Sequence, residues 1–499
     1  MTQAAAASLS PLARIAETCG AFMPAFLGLA ATRVWLQVNH FASYSSSDDG
    51  MLTVVCQLFY GLMMVAGGLA ALRRPSAKRE RQTVAWLGFG IMTFSTVLIM
   101  TGKEAGSPDI LLVAGVLAGV GGALGGGMWT MAYVRLGMHQ AVLYGFLSLA
   151  LGSAGGLAVS FLPDALGYTV SMFMPAIALL CYQRALKADV GDIPAPEPVY
   201  DREPRSTMLL IFGGLAVFGL ALGVSRGFPA GEPVPMDAMQ RIVHQMGVVA
   251  ISLFVIWWAI VKRKRLSFSF LWRIEIMLVA AGMLVLSVFP GHLTELAVAV
   301  VNIADTLMLG VLWVTLQDVA RHTTVSAYAV YGFAWAARVL ARDAGRVLIM
   351  ALGAAGLTSY AAGAVVGIVV FALATSMVIL LSDGIPRIRP LFAEDARPAS
   401  RPLRPHPAPD PEASANAIRR TAPADTAVGD WLRETFDLSE RETEVALLIA
   451  QGRSKTYIAE QLYLSENTVR THAKNAYAKM GVHSKQALID LVSDTKGRI

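Results

Sequence analysis

The chain has 499 residues, of which 55% are hydrophobic and only 15% charged, with a mean hydropathy of +0.54. Soluble domains carry roughly 25% charge, and single cores stop growing at about 250–300 residues, so this composition excludes one water-soluble globule. Lipid is the expected solvent for much of the chain, and the net charge of +6 selects no nucleic-acid partner, because basic loops of a membrane protein give the same sum.

From the start, Met1 to Arg14 is small and polar, with no cleavage pattern of a signal peptide before the first apolar run. A bilayer-spanning helix needs about 20 apolar residues. Twelve runs qualify, at 19–35, 52–72, 83–101, 109–133, 141–161, 166–185, 207–223, 242–261, 269–289, 293–316, 327–350 and 357–381. Lys and Arg crowd the loops after the second run (Arg73, Arg74, Lys78, Arg79, Arg81) and after the eighth (Lys262, Arg263, Lys264, Arg265). Basic loops stay cytoplasmic, so even loops and both chain ends are expected there, in an inner (cytoplasmic) membrane. The three cysteines, Cys19, Cys56 and Cys181, lie in apolar stretches without metal-ligand spacing and read as small buried hydrophobes.

Two runs stand out. The fourth is rich in glycine (Gly115, Gly119, Gly121, Gly122, Gly125, Gly126, Gly127), which fits either close helix packing or a moving, ligand-lining helix. The eleventh carries Arg338, Arg342, Asp343 and Arg346, with the three arginines on one face. Laid flat on the membrane it would leave the C-terminus outside; as a crossing, its charges must face a bundle interior or water. Candidate ligand-lining residues are Arg33, Glu275, Asp305, Trp335, Arg338, Arg342 and Asp343. Internal ion pairing, of Glu275 or Asp305 with the arginines of the eleventh run, and plain core packing of Trp335 are the alternatives. Two groups of six runs, separated by the polar insert 187–205, resemble the major facilitator superfamily in layout. The loop between the second and third runs lacks the signature of that family.

Residues 383–429 are rich in Pro, Ala and Arg and read as a linker without a core. About 40 such residues span roughly 35 Å. Residues 430–499 change character abruptly. Ser439 and Glu442 form a Ser-x-x-Glu capping box before the apolar Val445, Leu448 and Ile449, and Gly452 ends that helix. Ser454 caps a second helix bearing Ile458, Ala459 and Leu462. Ser465 caps a third, closed by Gly481, and Ser484 opens a fourth carrying Ala487, Leu488 and Leu491. The third helix is split: Val469, Ala473, Ala476, Tyr477 and Met480 on one side, Asn467, Arg470, Thr471 and Lys474 on the other. A short turn before it presents the cationic side outward, where it fits a major groove.

These residues carry a resemblance. Leu438, Ser439, Arg441, Glu442, Glu444 and Val445, then Ala450, Gly452 and Ser454, then Ile458, Ala459, Leu462, Leu464, Ser465, Thr468, Val469, Arg470 and His472, and last Lys479, Met480, Gly481 and Val482 follow in order the pattern of LuxR/FixJ/GerE-type DNA-binding domains. Lys455-Thr456-Tyr457 and Ala476 depart from it. The resemblance implies that Arg470, Thr471 and Lys474 face bases, that Lys455, Thr468 and Lys479 lie near the DNA backbone, and that the last helix mediates dimerisation. No receiver domain precedes the head.

The expected architecture is therefore all-α: a polytopic bundle of about 12 helices (6+6) over 1–382, the linker, and a four-helix helix-turn-helix head. The expected partners are double-stranded promoter DNA, membrane lipid, an unknown small molecule and a second copy through the head. The leading functional reading is a one-component sensor and transcription regulator. Its alternatives are a transporter with a regulatory DNA-binding tail and a constitutively active head on a plain anchor. No Walker loop, zinc pair or nucleophile elbow suggests an enzyme, and no cofactor or metal is expected.

Overall fold

The computed structural model describes residues 11–40, 50–73, 78–191, 200, 205–227, 238–262, 276–282, 294–356, 364–365, 367–369, 371–373, 423–451, 458, 462, 466–482 and 485–496. All regular structure among them is helical. The chain divides into two compact units, Met1–Arg397 and Pro398–Ile499.

The first unit contains α1 (Pro11–Cys19), α2 (Gly28–His40), α3 (Gly50–Arg73), α4 (Lys78–Glu104), α5 (Pro108–Gly121), α6 (Trp129–Tyr133), α7 (Met138–Val159), α8 (Asp164–Lys187), α9 (Arg205–Gly227), α10 (Ala238–Ile256), α11 (Thr294–Arg321) and α12 (Ala327–Ala354). Ten of the twelve expected runs thus coincide with helices. The ninth and twelfth fall mostly outside the described residues. Seven described helices are long and apolar enough to cross a membrane, or eight if the bent pair at the N-terminus is one span. That pair corrects the first run. The chain bends by 96° between Cys19 and Pro24. Gly20 takes a φ of +72, open to glycine because it has no Cβ, so a straight helix cannot continue from Cys19. The fourth run is also not a plain helix, since a π-helical segment, Gly122–Gly126, lies between α5 and α6.

The polarity of this unit is inside out. Leu62, Trp86, Phe94, Phe173, Leu180 and Phe254 are exposed on its outer faces, whereas Gln37, Asn39, Ser95, Ser153, Ser171, Gln245, Asn302 and Asp305 are buried within. Water would penalise that arrangement by about 25 cal/mol for each Å² of apolar surface left exposed; hydrocarbon does not. The chain is a multi-pass membrane protein.

The arginine-bearing eleventh run is one continuous 28-residue helix, α12, packed between α9 and α3. Small residues admit it. A Cβ on Gly219 or Gly223 of α9 would collide with the carbonyl oxygens of Arg338 and Arg342, and a Cβ on Gly345 would strike that of Leu220. On the other side, Gly332 lies against the backbone of Met64 in α3. Such close backbone approach is how helices associate where no hydrophobic force separates them from lipid. Glycines of the fourth run do the same: Gly119 sits on the Cys56 carbonyl and Gly121 on the Met92 amide.

The ends that the positive-inside rule places together meet at one end of the bundle. Arg14 of α1 donates to the carbonyl of Val261, 3.0 Å away, after the eighth run. Gln140, at the start of the fifth, donates to Cys19 O at 3.0 Å, and Arg135 donates to Ala185 O, Leu186 O and Ala188 O, after the sixth, at 2.8, 2.7 and 2.8 Å.

Gly223→Val is expected to destabilise the bundle by about 1–3 kcal/mol through overpacking. Gly213→Val, whose Cβ meets nothing within 4 Å, is expected to leave it unchanged. Thermal unfolding of the purified protein in detergent, comparing both variants with the parent, checks this; equal midpoints would refute the interlocked packing.

Candidate functional site

The second unit folds around its own core. It comprises α13 (Pro423–Phe436), α14 (Glu440–Ala450), α15 (Glu466–Met480) and α16 (Lys485–Lys496). The expected second helix, with Lys455, lies outside the described residues apart from Ile458 and Leu462, of which Ile458 is fully buried. Helix α13 was not anticipated and runs across the expected start of the head at 430. Val428 and Leu432 are fully buried in the core with Val445, Ile449, Val469, Ala476 and Leu488. Trp431 meets Phe436 edge-on at 5.5 Å. The apolar spacing Val428, Trp431, Leu432 (i, i+3, i+4) carried that signal, obscured by the Pro- and Ala-rich composition just before it.

The capping box is formed as read. Ser439 Oγ accepts from Glu442 N at 3.3 Å, and Glu442 Oε2 accepts from Ser439 N at 2.9 Å. Glu442 is buried, and its carboxylate also accepts from Lys479 Nζ at 2.9 Å. Lys479 donates in addition to Asp437 O at 2.8 Å, fixing the turn where Asp437 holds a φ of +52. One lysine thus ties the last turn of α15 to the first turn of α14. The Ser439 amide, and then Lys479, hold the Glu442 carboxyl down at about 2. Helix α15 closes as a Schellman motif: Gly481 has a φ of +66, and Val482 N donates to Tyr477 O at 3.0 Å.

With both ends fixed, the faces of α15 are set. Val469, Ala473, Ala476 and Met480 are buried; Arg470, Thr471 and Lys474 are exposed on the other side. Tyr477 flanks the core, and partial burial raises its phenol above the usual range. Among the described residues no carboxylate pairs with Arg470 or Lys474. Thr468 is half-buried, and Asn467 belongs to the first turn of α15. The structure therefore brings Arg470, Thr471 and Lys474 onto one outward patch, and engages Lys479 within the fold.

In the membrane unit the candidate residues separate into two places. Arg33 of α2 lies against α7, its Nε and Nη2 3.4 and 3.3 Å from Ser153 Oγ. Arg338 of α12 is buried and ion-paired with Asp305 of α11. Arg342 and Asp343 are buried on α12, and Trp335 packs edge-on against Trp313 at 5.9 Å. Glu275 lies outside the described residues. Of the alternatives weighed for these residues, ion pairing holds for Asp305 and aromatic packing for Trp335. Among the described residues, no group of His, Cys, Asp and Glu could hold a metal.

A helix-turn-helix DNA-binding head carried by a multi-pass membrane bundle defines the class of protein. Residues 437–492 match the family described as bacterial regulatory proteins, luxR family. The spore germination protein GerE of Bacillus subtilis is 43% identical over 56 residues, which cover 11% of this chain and 76% of that protein. The chain belongs to the LuxR family of bacterial regulatory proteins. Fimbriae Z protein of Salmonella typhimurium is 47% identical over 53 residues, 11% of this chain, of which only 25% of its own length is spanned. The nitrate/nitrite response regulator protein homolog of Haemophilus influenzae is 32% identical over 89 residues, covering 16% of this chain and 43% of that protein. Solved structures with similar helical layouts include a major facilitator superfamily transporter, FucP, in the outward conformation (TM-score 0.45, 11% identity, 71% of this chain and 99% of that one). A bacterial homologue of the iron transporter ferroportin in an outward-facing state is another (TM-score 0.49, 11% identity, 74% and 98%).

The Glu442 clamp makes a signed pH prediction. Its folded pKa lies below the ordinary 4.5, so its contribution is complete above 4.5 and is lost as pH falls towards about 2. Glu442→Gln is expected to cost about 1 kcal/mol at pH 7 and almost nothing near pH 2. Urea unfolding of a head fragment that begins before Pro423, at both pH values, measures it. A pH-independent difference would contradict the clamp.

Proposed function

We propose that this protein is a membrane-anchored transcription regulator whose head binds promoter DNA at the cytoplasmic face of the inner membrane and whose bundle senses a small molecule. The observation that carries the DNA half is the outward patch of Arg470, Thr471 and Lys474 on a helix whose opposite face is sealed in the core. A helix that exposes cations at i and i+4 fits the major groove, where Arg and Lys meet phosphates and guanine edges. Thr468 precedes the patch on α15, and Lys455 and Asn467 are taken as further contacts from the family resemblance. Lys479 acts first as the clamp that holds α15 in place and lies near the DNA backbone only from that position. Dimerisation through the last helix, α16, gives a two-fold reader of paired half-sites.

The sensing half is supported by the buried Asp305–Arg338 pair at mid-length of α11 and α12. Ion pairs at that depth are costly and mark functional positions. The Nε of buried Arg338 has no hydrogen-bond partner among the described residues. Trp335, Arg342 and Asp343 lie on the same helix as Arg338 and are proposed as lining residues with it; Arg33, which lies against Ser153, and Glu275 remain separate candidates.

Arg470→Ala and Lys474→Ala are each expected to weaken binding of the head to its operator by about 1–3 kcal/mol, with a shallower dependence on salt. Gel shifts with operator fragments recovered by chromatin immunoprecipitation measure both, and parental affinity in the two variants would exclude the assignment. For the whole protein, removing the bundle is expected to abolish metabolite-dependent changes in occupancy. A reporter fused after Ile499 is expected to be active only in the cytoplasm; activity outside would overturn the regulator reading.

A further inference from the structure

The span that begins with α10 continues as a π-helical segment, Trp257–Val261, and gives way to Lys262. Its last turns carry an aromatic plate on the outside of the bundle. Phe254, Trp257 and Trp258 stand at i, i+3 and i+4, hence on one face, and are 54, 40 and 37% exposed. The ring centroids lie 5.9 Å (Phe254–Trp257), 5.8 Å (Phe254–Trp258) and 6.4 Å (Trp257–Trp258) apart. Large rings exposed together on a span suit the depth where hydrocarbon gives way to headgroups.

Two cations from distant parts of the chain meet at this helix end. The Lys262 amide donates to Trp257 O at 2.9 Å, and its Nζ folds back to 5.1 Å from the centre of a Trp257 ring. That cation–π contact holds the ammonium at the depth of the plate instead of letting it extend into water. Arg14 of α1 donates from Nη1 to Val261 O, one residue before Lys262, at 3.0 Å. Helix α1 is itself fixed, because Cys19 is buried and its carbonyl accepts from Gln140 of α7. In the sequence Lys262 opens an unbroken basic run, Lys262-Arg263-Lys264-Arg265. Arg14 and this run set five cations against Glu17, the single acidic residue of α1.

We propose that the end of this span is a binding site for an anionic phospholipid, its phosphate held by Lys262 and Arg14 and its acyl chains laid on Phe254, Trp257 and Trp258. Charge and shape both select that occupant. Cations next to a span attract anionic lipid, each by about fivefold in affinity. The plate beneath them offers rings to acyl chains, which a free anion cannot use. An aromatic belt with a snorkelling lysine, by contrast, makes no choice among headgroups. Since α1 joins this corner to α7 through Gln140, the bound lipid braces the junction of α1, α7 and α10. The site stands independently of the sensing and DNA readings above.

The test uses the full chain in detergent and native mass spectrometry, with phosphatidylglycerol and phosphatidylcholine of identical acyl chains. Phosphatidylglycerol is expected to be retained at least about fivefold more than phosphatidylcholine. Lys262→Gln and Arg14→Gln are each expected to lower its retention about fivefold and to leave phosphatidylcholine unchanged, whereas Lys262→Arg keeps the parental preference. Lys262 is exposed, and a glutamine at position 14 can still donate to the Val261 carbonyl, so both variants spare the fold, which thermal melting verifies. Equal retention of the two lipids in the parent overturns the site. A phosphatidylglycerol preference undiminished in both glutamine variants overturns its placement here. Displacement of phosphatidylglycerol by millimolar inorganic phosphate would mark a site for a free anion and overturns the lipid as occupant.

Discussion

The membrane unit depends on placing one costly helix. Helix α12 carries three arginines and an aspartate in its middle, and hydrocarbon tolerates such a helix only if its charges are enclosed. Enclosure requires neighbours close enough to exclude lipid and a counter-charge at the same depth. Gly219 and Gly223 of α9 and Gly345 of α12 supply the first by bringing backbones into contact. Asp305 of α11 supplies the second. Neither suffices alone: without the glycines the arginine cannot be covered, and without the aspartate a covered arginine is an unpaired buried charge. Helices α3, α9 and α11 are therefore positioned around α12.

The head solves a smaller version of the same problem. A basic helix has to be held rigidly while the cations of its reading face stay clear of carboxylates. The structure assigns the two tasks to different cations. Lys479 is spent on Glu442 and the Asp437 carbonyl, while Arg470 and Lys474 face outward. The core of Val469, Ala473, Ala476 and Met480 fixes the rotation of α15 and so decides which cations are which. With α13 sealing Val428 and Leu432 into that core, the folded unit begins inside the segment whose composition reads as linker.

What could be read in the sequence follows from the range of the interactions. Most of the helix runs among the described residues, the Ser439–Glu442 box, the Gly481 stop and the split of α15 into a buried and an exposed face are written within a few residues, by period and punctuation, and are found in the structure. The pairing of Asp305 with Arg338 could be framed only as one option with Glu275, since partner choice depends on which helices meet. The bend at Gly20 was missed because an apolar run looks continuous whatever the φ of one glycine. The ties between Arg14 and Val261, or Cys19 and Gln140, link residues more than a hundred positions apart, and no local pattern announces them.

Arginine shows why residue type alone does not settle a role here. Arg338 and Arg470 both follow apolar residues at helical spacing in a basic, amphipathic stretch. One is 2% exposed against a carboxylate; the other is in the open on a solvated face. Desolvation makes the first worth keeping only as half of a pair, so its field is cancelled within a few ångströms. Water leaves the second cheap to expose and uncancelled, so its field reaches about a Debye length to any polyanion. The same side chain is thus a structural fastener in hydrocarbon and a recognition element in water. The drop in hydropathy between the two units is the signal that tells which role each arginine takes.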